Sequence, residues 1–140
     1  MDKKMIIVTG AAGLIGSGVV RYLNDLGHLS NLILVDVLNH PEKVKNLRDK
    51  QYKEIISIHG LHSWLEGRGS EISAILHFGA CSDTLEQDEQ FLRENNTLYT
   101  QKLAGYCLKH GIRFIYASSA ATYGNGSPEF RISGFCCFEF

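Results

Sequence analysis

Long apolar runs are missing from this chain of 140 residues. Its hydrophobic stretches are strand-sized, and none approaches the ~20 residues that a bilayer span requires. An excess of charge of one sign is missing too. Fourteen lysines and arginines stand against fifteen acidic residues, for a net charge of −1, and the two signs are interspersed. There is no basic stripe of the kind that binds nucleic acid and no acidic run of the kind that stays disordered. The four cysteines, Cys81, Cys107, Cys136 and Cys137, include no Cys-x-x-Cys spacing and no zinc pattern. Two of them are adjacent, which suits a disulfide framework poorly, so reduced thiols are expected. The histidines supply one close pair, His59 and His62, with no second ligand pair beside it, so no metal site is expected. No internal repeat and no low-complexity segment is present. Met1 to Lys4 leads into an apolar strand without the apolar region and cleavage site of a signal peptide. These absences predict a cytoplasmic chain of one domain at most, with neither a membrane nor a nucleic acid as its partner.

What is present is an alternation of strands and helices. Hydrophobic residues make up 44% of the chain, enough for a core. Met5 to Thr9 is apolar and β-branched and reads as a first strand. Leu14, Ile15, Val19, Leu23 and Leu26 recur near helical spacing, and Gly27 follows as a stop. Leu32 to Val35 reads as a second strand, Pro41 to Leu47 as a short helical turn, and Ile55 to Ile58 as a weaker strand. Ile72 to His77 is a fourth strand. Gln87 to His110 reads as one long helix, with Phe91, Asn95, Leu98, Lys102, Tyr106 and Cys107 along one side and Gly111 ending it. Arg113 to Ala117 is a fifth strand. Near-continuous apolar strands between helices predict an α/β fold with a doubly wound parallel sheet covered on both faces, of the Rossmann type. After Tyr123 the character changes. Residues 124–128 are turn-rich, and Phe130 to Phe140 shows no clear period.

Residues 8–16 read Val-Thr-Gly-Ala-Ala-Gly-Leu-Ile-Gly. The triplet Gly10, Gly13 and Gly16 follows a strand and opens an amphipathic helix, which is the context of a dinucleotide-binding turn, although the spacing is not the commonest G-x-G-x-x-G. Gly10 would permit the turn, Gly13 would let the backbone approach a pyrophosphate, and Gly16 would let the helix pack closely. Amides at the helix start would face the phosphates. Asp36 ends the second strand about 20 residues beyond Gly16, where a ribose ligand belongs. It is equally able to cap the strand end. Alone it favours NAD, because its charge repels a 2′-phosphate. Lys43 is near enough in sequence to reach such a phosphate, or it is a solvated surface lysine.

These residues, together with the segment Ser118-Ser119-Ala120-Ala121-Thr122-Tyr123-Gly124, resemble the extended short-chain dehydrogenase/reductase superfamily. Within it, three further features resemble the ADP-L-glycero-D-manno-heptose 6-epimerases. They are His77-Phe78-Gly79-Ala80-Cys81-Ser82-Asp83-Thr84, the pair Asn95-Asn96, and Tyr116 to Gly124. The likeness runs from about Met5 to Gly126. It implies a partial dinucleotide-binding domain over residues 1–126 and a divergent tail, of unassigned role, over 127–140. It implies epimerisation of a nucleotide-linked heptose by transient oxidation with NADP, NAD being the alternative, in lipopolysaccharide core biosynthesis. A homo-oligomer is implied for a full-length enzyme. Carried onto this sequence, Gly10, Ala11, Leu14 and Ile15 would line the pyrophosphate loop, and Asp36 and Lys43 would hold the adenosine end. Phe78, Gly79, Ala80, Cys81 and Ser82 would run beneath the cofactor, with Asn95 beside it. Ser119 would be the catalytic serine, donating a hydrogen bond to the reacting oxygen at the carboxyl end of a central strand. The plainer reading makes Ser118 and Ser119 turn residues.

The departures bear on activity. The family pattern has glutamate at the position of Phe78 and asparagine at that of Val37, and both changes remove polar contacts. The superfamily also uses a Tyr-x-x-x-Lys pair as base and base-activating cation. None of the tyrosines here is followed four positions later by lysine. The pair would fall beyond residue 140, which predicts an inactive N-terminal portion of such an enzyme. The alternatives are another sugar-nucleotide epimerase or 4,6-dehydratase, or a non-catalytic dinucleotide-binding module.

Overall fold

The computed structural model describes residues 3–80 and 88–118. Cys81, Ser82, Ser119 and the tail over 127–140 lie outside the described residues, as do Cys136 and Cys137.

Five parallel strands form one sheet: β1 (Met5–Thr9), β2 (Leu32–Val35), β3 (Glu54–Ile56), β4 (Ile72–His77) and β5 (Arg113–Tyr116). Their spatial order is β3-β2-β1-β4-β5. The chain winds outward from β1 to β3, then returns to lay β4 on the other side of β1. The expected doubly wound parallel sheet is therefore the observed one. Its direction of winding reverses between β1 and β4, which in such sheets is where a crevice opens beyond the strands' carboxyl ends.

Alternation along the strands separates two apolar layers. Ile7, Ile33, Val35 and Ile75 face one side with Leu61, Leu65, Leu103 and Cys107. Val8, Leu32 and Leu34 face the other with Ala11, Ala12, Val20 and Leu47. Helices α1 (Leu14–Asp25) and α2 (Pro41–Leu47) serve the second layer, and α3 (Leu61–Leu65) and α5 (Tyr99–His110) serve the first. Helix α1 ends as its sequence predicts. Gly27 takes φ +83°. The amides of Gly27 and His28 donate to the carbonyls of Asn24 and Leu23, so the last turn's acceptors are filled. Gly111, at φ +63°, closes α5 in the same way, with Ile112 donating to Cys107.

Three features differ from expectation. Strand β3 is shorter, because it is an edge strand paired only with β2, and Ile58 packs against the core from outside it. Helix α3 has no counterpart in the sequence pattern; its five residues are too few for a period to show, yet Leu61 and Leu65 are fully buried. The long helix, described from Glu89 onward, is not uniform. It starts as α4 (Glu89–Leu92), capped by the Asp88 carboxylate accepting from the Phe91 amide. It then widens into a π-helical segment at Arg93–Leu98 before α5. The wider turns shift the phase of the helix. Consequently the residues aligned before and after the segment do not share one face. Lys102 is exposed, and the core position is its neighbour Leu103.

Leu103→Ala is expected to cost about 2–5 kcal/mol, and Lys102→Ala no more than about 0.5 kcal/mol. Urea unfolding of the two variants checks this. Equal costs would contradict a helix phase that buries Leu103 and exposes Lys102.

Candidate functional site

The loop joining β1 to α1 is fixed by backbone geometry before any side chain is considered. Gly10 has φ +64°, and a Cβ there would meet the backbone of Phe78 and Gly79 at 2.6–2.8 Å. A side chain at this position would force β1 and β4 apart. Gly16 is equally confined. Its Cβ would run into the carbonyl of Gly10 and the Cα of Ala11, so it lets the start of α1 lie close on the turn leaving β1. Gly13 is less confined, its Cβ lying 3.3 Å from the Gly10 oxygen.

The loop amides divide into two sets. Gly10 and Ala11 donate to the Val35 carbonyl, Gly13 donates to that of Gly10, and Ala12 donates to Asp36 Oδ2 at 2.8 Å. The next three, on Leu14, Ile15 and Gly16, open α1 and have no acceptor among the described residues, nor does a side chain cap this end. Leu14 is 90% exposed and Ile15 61%. A twelve-residue helix thus begins with open donors and uncovered apolar side chains, at the reversal between β1 and β4.

Asp36 and Lys43 come together, but in a tighter arrangement than expected. The Asp36 carboxylate is buried and accepts from the amides of Ala12 and Val37. Its Oδ1 also pairs with Lys43 Nζ at 2.8 Å, and that ammonium donates to the Val37 carbonyl as well. From the same helix α2, Asn46 Nδ2 donates to the Ala12 carbonyl at 2.9 Å. The backbone of Ala12 is therefore held at both its N–H and its C=O. Lys43 is a partner of Asp36 rather than a solvated lysine. Asn46 gave no sign in the sequence, because it belongs to none of the motifs.

On the β4 side, Phe78 and Gly79 lie against Gly10, and Ala80 is exposed. Asn95 is half-buried in the π-helical segment, donating to Asn96 Oδ1. Two residues that are not among the predicted site residues join these parts. Thr9 and His77 end β1 and β4 and sit opposite each other in register. Thr9 Oγ1 and His77 Nδ1 are 2.6 Å apart, and His77 Nε2 is 2.8 Å from Thr100 Oγ1 on α5. The Gly79 amide donates to Thr9 Oγ1. The available signal was two polar residues terminating apolar strands side by side. His77 is also flanked by the rings of Tyr99 and Phe114, with centroids 5.9 and 6.0 Å away. Burial holds its pKa down to about 4 and pushes the Tyr99 hydroxyl up to about 12, so both are neutral at pH 7. Cys107 is a buried free thiol, pushed up to about 12 by the same desolvation. Among the described residues no group of acidic, His and Cys side chains is arranged to hold a metal ion, and no helix is long and apolar enough to cross a membrane.

The His77 shift fixes a sign. Between pH 6.5 and about 4 the unfolded chain binds a proton at His77 that the folded chain refuses, so stability falls as pH falls through that window. The full effect is on the order of 3 kcal/mol. Denaturant midpoints measured across it should drop less steeply for His77→Gln than for the parent chain. Parallel curves would contradict a buried neutral imidazole.

Comparison with known proteins matches this geometry. The sequence pattern of the NAD dependent epimerase/dehydratase family fits residues 6–135. An ADP-L-glycero-D-manno-heptose-6-epimerase of Fusobacterium nucleatum is 45% identical over 124 residues, which are 87% of this chain and 37% of that protein. The chain thus spans well under half the length of this relative. Among solved structures, the UDP-Glc/GlcNAc 4-epimerase of Campylobacter jejuni superposes with a TM-score of 0.69 at 28% identity, over 86% of this chain and 39% of that one. The Helicobacter pylori ADP-L-glycero-D-manno-heptose-6-epimerase shares the fold, with a TM-score of 0.73 at 22% identity over 98% of this chain and 44% of its own. With its glycine turn, its reversal between β1 and β4 and this match over most of its length, the chain belongs to the NAD dependent epimerase/dehydratase family.

Proposed function

We propose that these residues form the dinucleotide-holding part of a sugar-nucleotide epimerase of the ADP-L-glycero-D-manno-heptose 6-epimerase type. The observation that carries the reading is that the amides of Leu14, Ile15 and Gly16, beginning α1 beside a pre-shaped glycine turn, have no acceptor among the described residues. A pyrophosphate fits there: its oxygens are acceptors, the helix dipole favours its charge, and Gly13 leaves its approach clear of side chain. The less polar parts of a bound dinucleotide would also cover the exposed Leu14 and Ile15 side chains. The heptose-linked substrate is favoured by the relative at 45% identity. The likeness to a UDP-sugar 4-epimerase favours a second reading, in which another nucleotide sugar is the substrate.

A nicotinamide dinucleotide, when bound, supplies reversible hydride transfer at the sugar. The chain's own part is to bind and orient it. Gly10, Ala11, Gly13, Leu14, Ile15 and Gly16 would hold the pyrophosphate, and Asp36 and Lys43 the adenosine end. Phe78, Gly79, Ala80, Cys81 and Ser82 would pass beneath it, with Asn95 alongside. Ser119 would donate a hydrogen bond to the reacting oxygen. No Tyr-x-x-x-Lys pair occurs within the 140 residues, so binding is the step that these residues test.

We propose NADP as the preferred dinucleotide, although Asp36 by itself repels a 2′-phosphate. Its charge is offset by Lys43, whose ammonium uses two of its three donors on Asp36 and Val37 and keeps one for a phosphate oxygen. Lys43→Ala removes that donor and uncovers the Asp36 charge. It should therefore raise the dissociation constant of NADP more than that of NAD, in titrations of both. An unchanged ratio would remove Lys43 from the site.

Gly13→Val tests the reading as a whole. A branched side chain at the mouth of the turn should abolish binding of either dinucleotide, while the chain still unfolds cooperatively at a temperature lowered by a few degrees, because Gly13 is the N-cap of α1 and is less confined than Gly10 or Gly16. Equal affinity in the variant and the parent chain would defeat the proposal.

A further inference from the structure

The hydroxyls and ring nitrogens around His77 can be given directions. Thr100 Oγ1 lies 2.5 Å from the carbonyl of Asn96 one turn earlier, and a carbonyl only accepts, so the Thr100 proton points there. Thr100 must then accept from His77 Nε2, which carries the ring proton. His77 Nδ1 is left as an acceptor and takes the proton of Thr9 Oγ1, and Thr9 in turn accepts from the amide of Gly79. Every hydrogen in this chain is used once. It runs from the turn after β4, through the ends of β1 and β4, to the π-helical segment that carries Asn95 and Asn96.

We infer that His77 is a positioning residue, whose imidazole, protonated at Nε2 only, holds the Gly79 turn in register with the π-helical segment across the mouth of the sheet. This rests on the dinucleotide reading for its consequence, since one end, Gly79, is a residue that reading places beneath the cofactor, and the other, Asn96, adjoins Asn95, which it places alongside. The relay's physical content is independent of it. Only a ring able to donate on one side and accept on the other satisfies both threonines. The aromatic faces of Tyr99 and Phe114 keep water from substituting. The relay ends on the Asn96 carbonyl, inside the π-helical segment.

The test alters the far end. Thr100→Val keeps the shape of the side chain and removes its hydroxyl, and Thr100→Ser restores the hydroxyl. In the parent chain, nitrogen NMR of His77 should show a proton on Nε2 alone. Amide exchange at Gly79 should quicken in Thr100→Val, with Ile75 in the middle of β4 unaffected, and return to the parent rate in Thr100→Ser. The dissociation constant for NADP should rise about three- to tenfold in Thr100→Val and recover in Thr100→Ser. An Nδ1-protonated ring, or an unchanged Gly79 exchange rate in Thr100→Val, would overturn the relay whether or not a dinucleotide binds. Equal weakening by valine and serine would also overturn it, since that would be packing rather than hydrogen bonding. Failure of the parent chain to bind NADP or NAD would defeat the functional reading alone, and the exchange rates would still decide the relay.

Discussion

The close approach of two backbones, at Gly10 on one side and Phe78–Gly79 on the other, is the constraint on which the site depends. The carboxyl ends of β1 and β4 meet there without room for one carbon atom between them. The sheet reverses its winding at that place, the topology that in such sheets opens a crevice beyond the strands' carboxyl ends. Any residue but glycine at position 10 would have to adopt a left-handed backbone and displace β4 as well. A single residue therefore sets both the turn and the spacing of the carboxyl ends of β1 and β4.

Two polar assemblies hold what that contact begins. On the β2 side, Asp36, Lys43 and Asn46 hold the backbone of Ala12, so the glycine turn is shaped by β2 and α2 before any ligand arrives. On the β4 side, Thr9 and His77 tie the Gly79 turn to α5. Asp36, Thr9 and His77, at the centres of the two assemblies, are buried, and buried polar groups that are fully paired favour one arrangement over its neighbours. The amides of Leu14, Ile15 and Gly16, between the two, stay unpaired among the described residues. Preorganisation around a few open donors is what a site for a charged diphosphate requires, because the ordering is done before binding.

The strands were legible because their information is local. Met5–Thr9, Leu32–Val35 and Ile72–His77 are apolar runs bounded by turn residues, and they occur at the bounds the sequence predicts. So was the glycine turn, since spacing, preceding strand and following helix agree. Less legible was anything decided by contacts distant in sequence. Gly16 answers to the carbonyl of Gly10, Asn46 to Ala12, and His77 to Thr9 and Thr100, and no periodicity encodes such pairs. The π-helical segment escaped for another reason. Residues 93–98, Arg-Glu-Asn-Asn-Thr-Leu, contain no glycine or proline to break a helical pattern, and the wider turn shows only in how the backbone pairs. A uniform helical period through it places Lys102 on the inner face, one residue from Leu103, which is fully buried.

The start of α1 is the place where we propose that a dinucleotide's pyrophosphate is held. Titration of NADP into the nitrogen-15-labelled chain, read amide by amide, addresses this most directly. The amides of Leu14, Ile15 and Gly16 should show the largest saturable shifts, with Ala12 moving little because Asp36 already holds it. Saturable binding that leaves those three amides unmoved and shifts a distant surface instead would contradict the proposal.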